Sequence, residues 1–136
     1  MRRMLSLFAA VVAAVGLSLV SSGSASALGG ETLLCRVVPV VGNPPFTQTC
    51  TNRTLITGTY SAGFHVFDTA GGYDSVNWIV PSPYTPTSCG WFDCSINMTS
   101  RFDQTVTVQV VLTQGGTSLT LSATAHINAV CGSQLC

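Results

Sequence analysis

The sequence predicts an all-β protein that folds as a single antiparallel β-sandwich. Three observations indicate this. Apolar and polar residues alternate strictly over residues 117–129, as expected for a strand with one buried and one wet face. Seven or eight short β-type segments are separated by Gly- and Pro-containing turns. After residue 27, no stretch of useful length has helical periodicity, and two packed sheets are the simplest way to cover the final hairpin.

Residues 1–27 are predicted to be a secretory signal peptide in helical form, removed by cleavage after Ala27. They begin with Met1-Arg2-Arg3, continue as an Ala/Val-rich apolar run, and end in the small-x-small pattern Ala25-Ser26-Ala27. The apolar run is too short, and the residues after it too polar, for a stable anchor. We therefore expect a secreted domain of residues 28–136, with no membrane association after signal cleavage.

Charged residues are scarce in the predicted mature domain. Arg36, Arg53 and Arg101 are its only cationic side chains besides histidine, and lysine is absent, so its formal net charge is −2. Nucleic-acid binding depends on neutralising phosphates with Lys and Arg, and anionic membrane surfaces also attract basic clusters. The composition therefore argues against both partners. It also carries no motif for a cofactor, and His65 and His126 lack zinc-site spacing.

The first third of the domain predicts three or four strands. Residues 33–41 are apolar and β-branched but contain Pro39, which removes a ladder donor and indicates an edge strand or a broken one. After a Gly-Asn-Pro-Pro turn, residues 46–50 return. Residues 53–62 are predicted as a strand with Gly58 inside it, and residues 64–67 as a further short strand.

The middle of the domain combines a tryptophan strand with a proline-rich connection. Residues 73–80 form a predicted strand with Trp78 on one face. Residues 81–88 contain three prolines and are predicted to be a long exposed connection. Residues 95–99 alternate again and predict a short strand.

The final hairpin comprises residues 105–113, a Gly115-Gly116 turn and residues 117–129. Its apolar row is expected to face the core opposite Trp78. Thirteen residues are long for one strand, so we expect a bulge or bend in the second arm.

The residues Val76-Asn77-Trp78-Ile79-Val80, followed by the Val-Thr-Val arm and the alternating Ala-x-Ala arm of the hairpin, resemble immunoglobulin-like and PKD-type domains. That resemblance covers roughly residues 53–129 and implies a two-sheet sandwich with a core tryptophan. The chain departs from it at Pro81-Ser82-Pro83, where PKD domains often have Gly-Asp-Gly. It also lacks the Cys…Trp…Cys spacing of antibody domains. The whole resembles short secreted actinobacterial proteins, which imply no activity.

Six cysteines all lie in the predicted mature domain. An even number in a small exported chain favours disulfides over metal thiolates. The favoured pairing joins neighbours along the chain: Cys35–Cys50, Cys89–Cys94 and Cys131–Cys136. The rival pairing tethers the C-terminal segment, through Cys131 or Cys136, to Cys35 or Cys50.

The favoured function is a non-catalytic binding module that acts through loops 68–73, 81–88 and 89–94. Trp91 and Phe92 lie inside the Cys89–Cys94 loop, where they would form a rigid aromatic finger, with Tyr84 close enough to join it. The alternative is that one or both aromatics fold back to plug the sandwich end. The expected partner is an extracellular protein or a cell-wall polysaccharide, and the protein is expected to be a monomer.

Two other functions remain open. A small secreted inhibitor or antimicrobial effector would use the proline-rich and cysteine-closed loops. A hydrolase would use His126 with Ser118 or Ser122, but no Gly-x-Ser-x-Gly elbow is present. Asp68 and Asp74 flank a Gly-Gly loop and could bind calcium, although aspartates of this kind more often form turns.

Overall fold

The computed structural model describes residues 28–40, 42–69 and 71–136. The predicted signal peptide therefore lies outside the described residues. Within them the protein is all-β, with no helix and with ten strands: β1 (Thr32–Val38), β2 (Thr49–Thr51), β3 (Thr59–Phe67), β4 (Ser75–Ile79), β5 (Pro86–Cys89), β6 (Asp93–Thr99), β7 (Gln104–Gln114), β8 (Thr117–Ile127), β9 (Val130–Cys131) and β10 (Gln134–Leu135).

Eight of these strands form two four-stranded sheets, which confirms the predicted sandwich. The first sheet has the order β1-β3-β6-β5, and the second has the order β2-β8-β7-β4. All neighbouring strands are antiparallel except β2 and β8, which run parallel. Strands β9 and β10 form a separate small hairpin.

The core lies between the two sheets and is built from alternate residues of each strand. Tyr60, Phe64 and Ile96 of the first sheet are fully buried, as are Val108 and Val110 of the second. Residues between them point outward, so β3 and β7 each have one buried row and one outward-facing row. This is the arrangement that the alternating sequence predicts.

The β7–β8 hairpin is regular along its whole length. Its register runs without interruption from Gln104↔Ile127 to Gln114↔Thr117, and Gly115 and Gly116 in the turn both have positive φ. The expected bulge in the second arm is therefore absent. The long alternating segment fits instead because β8 ends at Ile127, two residues before the pattern does.

Trp78 lies beside the hairpin rather than opposite it. Strand β4 pairs with β7 in the second sheet, and Trp78 is the partner of Val110, whose side chain is buried. Trp78 therefore faces inward from an edge strand and remains half-buried. Its indole Nε1 donates a hydrogen bond to the carbonyl oxygen of Gly90, in the β5–β6 turn of the first sheet, at 2.8 Å. This contact closes one side of the sandwich.

Residues 53–58 form a corner, not the start of a strand, which corrects one predicted boundary. Tyr60, near the start of β3, is fully buried. Its hydroxyl lies 2.6 Å from the carbonyl oxygen of Thr54 and 2.9 Å from that of Ile56, to which it donates. Such a tyrosine corner holds a chain that crosses from one sheet to the other. Gly58 precedes β3, and its N–H donates to the Ser100 hydroxyl.

Three strands, β5, β9 and β10, were missed by the sequence-based prediction. Strand β5 forms within the proline-rich connection, with Pro86 as its first residue and an irregular register between Pro86 and Ser88. Proline is tolerated there because β5 is an edge strand. The β9–β10 hairpin is only two residues per strand and carries no alternation long enough to detect.

All six cysteines pair along the chain, as favoured from the sequence. Cys35–Cys50 joins β1 of the first sheet to β2 of the second, across the core. Cys89–Cys94 closes the β5–β6 turn, and Cys131–Cys136 closes the last hairpin.

The sandwich has two ends, which we name by the loops they carry. The upper end consists of residues 28–31, 67–69, 71–75, 89–93 and 114–117. The lower end consists of residues 52–58, 99–104 and 128–136. At the lower end, Asn52 is buried, donates its amide N–H to the Asn128 carbonyl oxygen at 3.2 Å, and accepts from the Asn128 backbone N–H at 2.8 Å.

The tyrosine corner gives the first testable prediction. Tyr60→Phe removes the hydroxyl that satisfies the backbone of residues 54 and 56, and we expect a loss of about 1–3 kcal/mol of unfolding free energy. Urea unfolding followed by fluorescence measures it. Tyr84→Phe is the matched control, because that half-buried ring makes no hydroxyl hydrogen bond within the described residues. Equal stability of both variants would contradict the prediction.

Candidate functional site

The turn between β5 and β6 is the most constrained exposed feature of the upper end. Residues 90–92 are enclosed by the Cys89–Cys94 disulfide, and the Gly90 N–H donates to the Asp93 carbonyl oxygen at 2.8 Å. Trp91 stands at this turn with 57% of its surface exposed. Trp91, the first aromatic residue of the predicted finger, is therefore exposed.

Phe92 turns inward instead. It is half-buried and packs against the core, and its carbonyl oxygen accepts a hydrogen bond from the Val66 N–H at 2.9 Å. Its ring meets the buried Tyr73 edge-on, with centroids 5.8 Å apart. The two sequence-based alternatives are thus each realised by one residue: Trp91 projects outward, and Phe92 anchors the turn.

The buried carboxylate of Glu31 holds Tyr73, the residue against which Phe92 packs. The Tyr73 hydroxyl donates to Glu31 Oε1 at 2.7 Å, and the Gly29 N–H donates to Oε2 at 2.8 Å. Burial acts to raise the pKa of Glu31, but the hydrogen bonds from Gly29, Tyr73 and nearby backbone N–H groups outweigh it, so the pKa is lowered from its ordinary value of 4.5. Glu31 is therefore ionised at neutral pH.

Loop 68–73 lies beside the same turn, held by the β7–β8 hairpin. Gln114 Nε2 donates to the Gly71 carbonyl oxygen at 2.9 Å. Asp74 Oδ2 accepts from the Gly115 N–H at 2.7 Å, which makes it a turn-capping residue. Among the residues described, no three His, Cys, Asp or Glu side chains gather as a metal site would require.

Two hollows flank the Trp91 turn. One has a volume of about 430 Å³ and lies towards β4, where Asp74, Ser75, Val76 and Trp91 line it. The other, of about 320 Å³, lies over the outer face of the first sheet. Its floor is Gly63, which carries no side chain, and its walls include Phe46, Ser88, Asp93 and Ser95. The turn is therefore a ridge between two polar-rimmed depressions.

The second hollow borders a surface cluster that the sequence did not reveal. His65 Nδ1 pairs with Asp93 Oδ1. The imidazole forms a triangle of rings with Phe46 and Phe67, at centroid distances of 6.1 and 4.5 Å, and the two phenyl rings are 5.3 Å apart. The Arg36 guanidinium lies 4.7 Å from the Phe46 centroid, a cation–π contact. In the sequence, only the spacing of His65 and Phe67 pointed to this cluster, because residues two apart lie on the same face of a strand. The partners Phe46 and Asp93 come from distant segments.

Tyr84 does not join Trp91 and Phe92. It lines a different hollow, with Met98 and Thr99 at the far end of β6. A strand rises about 3.3 Å per residue, so Met98 lies roughly 16 Å from Asp93 along β6. Of the three loops predicted to form one surface, 68–73 and 89–94 meet, whereas the beginning of 81–88 lies near the opposite end.

Among the described residues, the side-chain partners of His126 are a threonine and an asparagine. Its Nδ1 lies 2.7 Å from the Thr105 hydroxyl, and its Nε2 lies 3.0 Å from Asn128 Oδ1. Both ring nitrogens are thus engaged on the polar face of the second sheet.

In the described part of the chain, no helix is long and apolar enough to cross a membrane.

Comparison with known proteins gives no family assignment: no protein-family model matches the chain, and a search of curated proteins finds no match.

The second prediction concerns the Glu31 anchor. Because the folded-state pKa is below the unfolded value, its contribution to stability is present above about pH 4.5 and lost as the pH falls through the folded-state pKa. Glu31→Gln should lower the unfolding free energy at pH 7 and flatten its fall between pH 5 and pH 2.5. Urea titrations across that range measure both effects.

Asp68→Asn is the matched control, since Asp68 is an exposed carboxylate of the same end and asparagine tolerates its positive φ. If the acid sensitivity of Glu31→Gln equalled that of this control, the anchor would not have the role given to it.

Proposed function

We propose that this protein is a secreted, non-catalytic binding module of the immunoglobulin-like sandwich type, and that its working surface is the upper end around Trp91. The supporting observation is that Trp91 is exposed on a short, disulfide-closed turn whose next residue is anchored in the core. Large aromatic side chains held in one position are the commonest anchors of binding surfaces.

Rigidity is what makes this turn suited to recognition. A flexible loop loses conformational entropy when it binds, about 0.5–1.5 kcal/mol for each immobilised long side chain. Here the Cys89–Cys94 bridge, the Val66–Phe92 hydrogen bond and the Tyr73–Phe92 ring contact hold the backbone already. The turn therefore loses little further conformational entropy when a partner binds.

A cell-wall polysaccharide fits the chemistry of this end better than a protein surface does. The Trp91 indole offers a flat apolar face for the CH side of a sugar ring. Asp74 and Asp93 border the two hollows beside it, and carboxylates accept hydrogen bonds from sugar hydroxyls. The proposed ligand is therefore a cell-wall glycan, whose sugar rings and hydroxyl groups these side chains would contact.

The immunoglobulin-like type and the secreted location rest on separate observations. The tyrosine corner at Tyr60 is a feature of such sandwiches. Three disulfides in a small domain are typical of extracellular proteins. The N-terminal sequence adds the signal-peptide pattern.

A small inhibitor is the second candidate, favoured by the same disulfide-closed turn. An inhibitor would insert the Trp91 turn into the cleft of an extracellular hydrolase. The proline-rich segment lies near the other end, so only the turn would dock. Inhibition of a peptidoglycan hydrolase, lost on Trp91→Ala, would favour this candidate over simple glycan binding.

The third prediction tests the working surface. Trp91→Ala should weaken binding to insoluble peptidoglycan by about thirtyfold, as expected when a hot-spot side chain worth roughly 2 kcal/mol is removed. Co-sedimentation at several protein concentrations measures the affinity, with chitin and cellulose as comparison polymers.

Ile79→Ala is the matched control, because Ile79 is also an exposed apolar residue but lies on the outer face of the second sheet. The control should bind like the wild type. Equal losses in both variants, or binding that does not depend on Trp91, would contradict the placement of the site.

A further inference from the structure

The lower end of the sandwich carries an apolar patch that the proposed function does not use. Seven large apolar side chains of the described residues are exposed, and five of them lie at or beside this end. They are Val38, Leu55, Ile56, Phe102 and Leu135. Phe102 is 60% exposed, slightly more than Trp91. Scattered exposed apolar residues are ordinary, but a cluster of them indicates an interaction surface.

Hydrogen bonds show that the segments carrying these residues adjoin one another. The Thr54 hydroxyl donates to the Pro39 carbonyl oxygen at 2.9 Å, next to Val38. The Ser100 hydroxyl donates to the Ile56 carbonyl oxygen at 3.2 Å, and the Val130 N–H donates to the Ser100 carbonyl oxygen at 2.9 Å. The Thr57 hydroxyl reaches the Val130 carbonyl oxygen at 3.4 Å. The corner at residues 53–58, the β6–β7 loop and the β9–β10 hairpin therefore form one continuous surface.

Charge is divided between the two ends. Two of the three arginines of the described chain, Arg53 and Arg101, lie at the lower end with one carboxylate, Asp103, which caps the Ala129 N–H at 2.7 Å. The charged side chains of the upper end are all carboxylates, of which Asp68, Asp74 and Asp93 are exposed and Glu31 is buried. The upper end also carries the exposed Trp91 and its flanking hollows. The two ends are thus complementary in charge, and each has an exposed apolar centre.

We propose that the lower end of one copy docks onto the upper end of a second copy, so that Phe102 and its apolar neighbours cover the Trp91 turn and Arg53 and Arg101 face the carboxylates. This proposal rests on the proposed function, because it takes the Trp91 end to be a binding surface. A glycan and a neighbouring copy then compete for the same surface.

The charge distribution favours head-to-tail contact over a symmetric dimer. A two-fold contact between lower ends would bring Arg53 and Arg101 of one molecule near the same two arginines of the other. Like charges across an interface are unfavourable. A two-fold contact between upper ends would oppose carboxylates in the same way. A head-to-tail contact pairs opposite charges, and because it uses two different surfaces it leaves one of each free. Repetition gives a chain of molecules unless the geometry closes a ring.

The association is expected to be weak and sensitive to salt. The complementary charges are few and lie on exposed loops, where each pair contributes little and is screened at a distance of about 8 Å in physiological salt. We therefore expect oligomers only at high protein concentration, such as that reached in a cell wall, and their dissociation when salt is raised.

The fourth prediction uses two variants of the mature chain, each blocked at one end. The lower-end variant carries Phe102→Ser and Leu135→Ser, and the upper-end variant carries Trp91→Ala. Sedimentation velocity of the wild type should show a concentration-dependent series of oligomers at low salt. Each variant alone should be monomeric. Their equimolar mixture should form dimers and nothing larger, because only one competent interface remains.

Arg101→Glu provides a second lower-end variant that leaves the core untouched, and it should shift the wild-type series towards monomer by roughly threefold to fivefold in concentration at low salt. Near-ultraviolet circular dichroism checks that every variant is folded. Soluble peptidoglycan fragments should dissociate the wild-type oligomers.

Several results would overturn the proposal. A wild-type protein that stays monomeric at millimolar concentration and low salt would do so. A symmetric dimer that persists in the upper-end variant would show lower-to-lower contact instead. Binding of the wild type, but not of the lower-end variant, to vesicles of phosphatidylglycerol without self-association would assign the patch to a membrane.

The same variants separate this proposal from the proposed function. The lower-end variant should keep full peptidoglycan binding. If peptidoglycan binding depends on Trp91 but no oligomers form, only the self-association is wrong. If the mixed variants form the dimer but no variant binds peptidoglycan, only the glycan assignment is wrong.

Discussion

The bridge between Cys35 and Cys50 is the constraint on which the two-sheet arrangement depends. It spans the interior of the sandwich, with a Cα–Cα distance of 5.7 Å, and ties an edge strand of one sheet to an edge strand of the other. Strand β2 is only three residues long and pairs with β8 in parallel, the weaker mode of pairing. Closing a loop of this length removes about 3 kcal/mol of chain entropy from the unfolded state. Without it, so short a strand would have little to hold it in place.

Local patterns predicted the interior well because burial on one strand face leaves a direct trace in the sequence. The rows that contain Val108 and Ala125 were identified from alternation alone, and both are buried. Pro39 correctly marked an edge strand. The same rule about proline caused β5 to be missed. Pro86 is acceptable at the first position of an edge strand, but the sequence does not show which strands are edges. The corner at residues 53–58 was read as a strand because its tie to Tyr60 is a single hydroxyl.

The candidate site was only partly predictable, because it depends on how distant strands align. Trp91 could be named from its place inside a cysteine-closed loop. Its separation from Tyr84 follows from the direction and length of β6, which become known only when the register is known. The His65–Asp93 pair with Phe46 joins three segments that no local pattern connects. The inward turn of Phe92 likewise depends on Tyr73, about twenty residues away in sequence.

The buried Asn52 has a consequence for producing this protein. Asn52-Arg53-Thr54 fits the acceptor pattern for N-linked glycosylation, and so does Asn97-Met98-Thr99. Asn97 is exposed on the outer face of the first sheet, so a glycan there is compatible with the fold. The Asn52 amide, in contrast, is buried and donates to Asn128. A eukaryotic secretory host that attached a sugar at Asn52 during synthesis would therefore prevent the lower end from closing, whereas a bacterial periplasm would form the disulfides and leave that amide free.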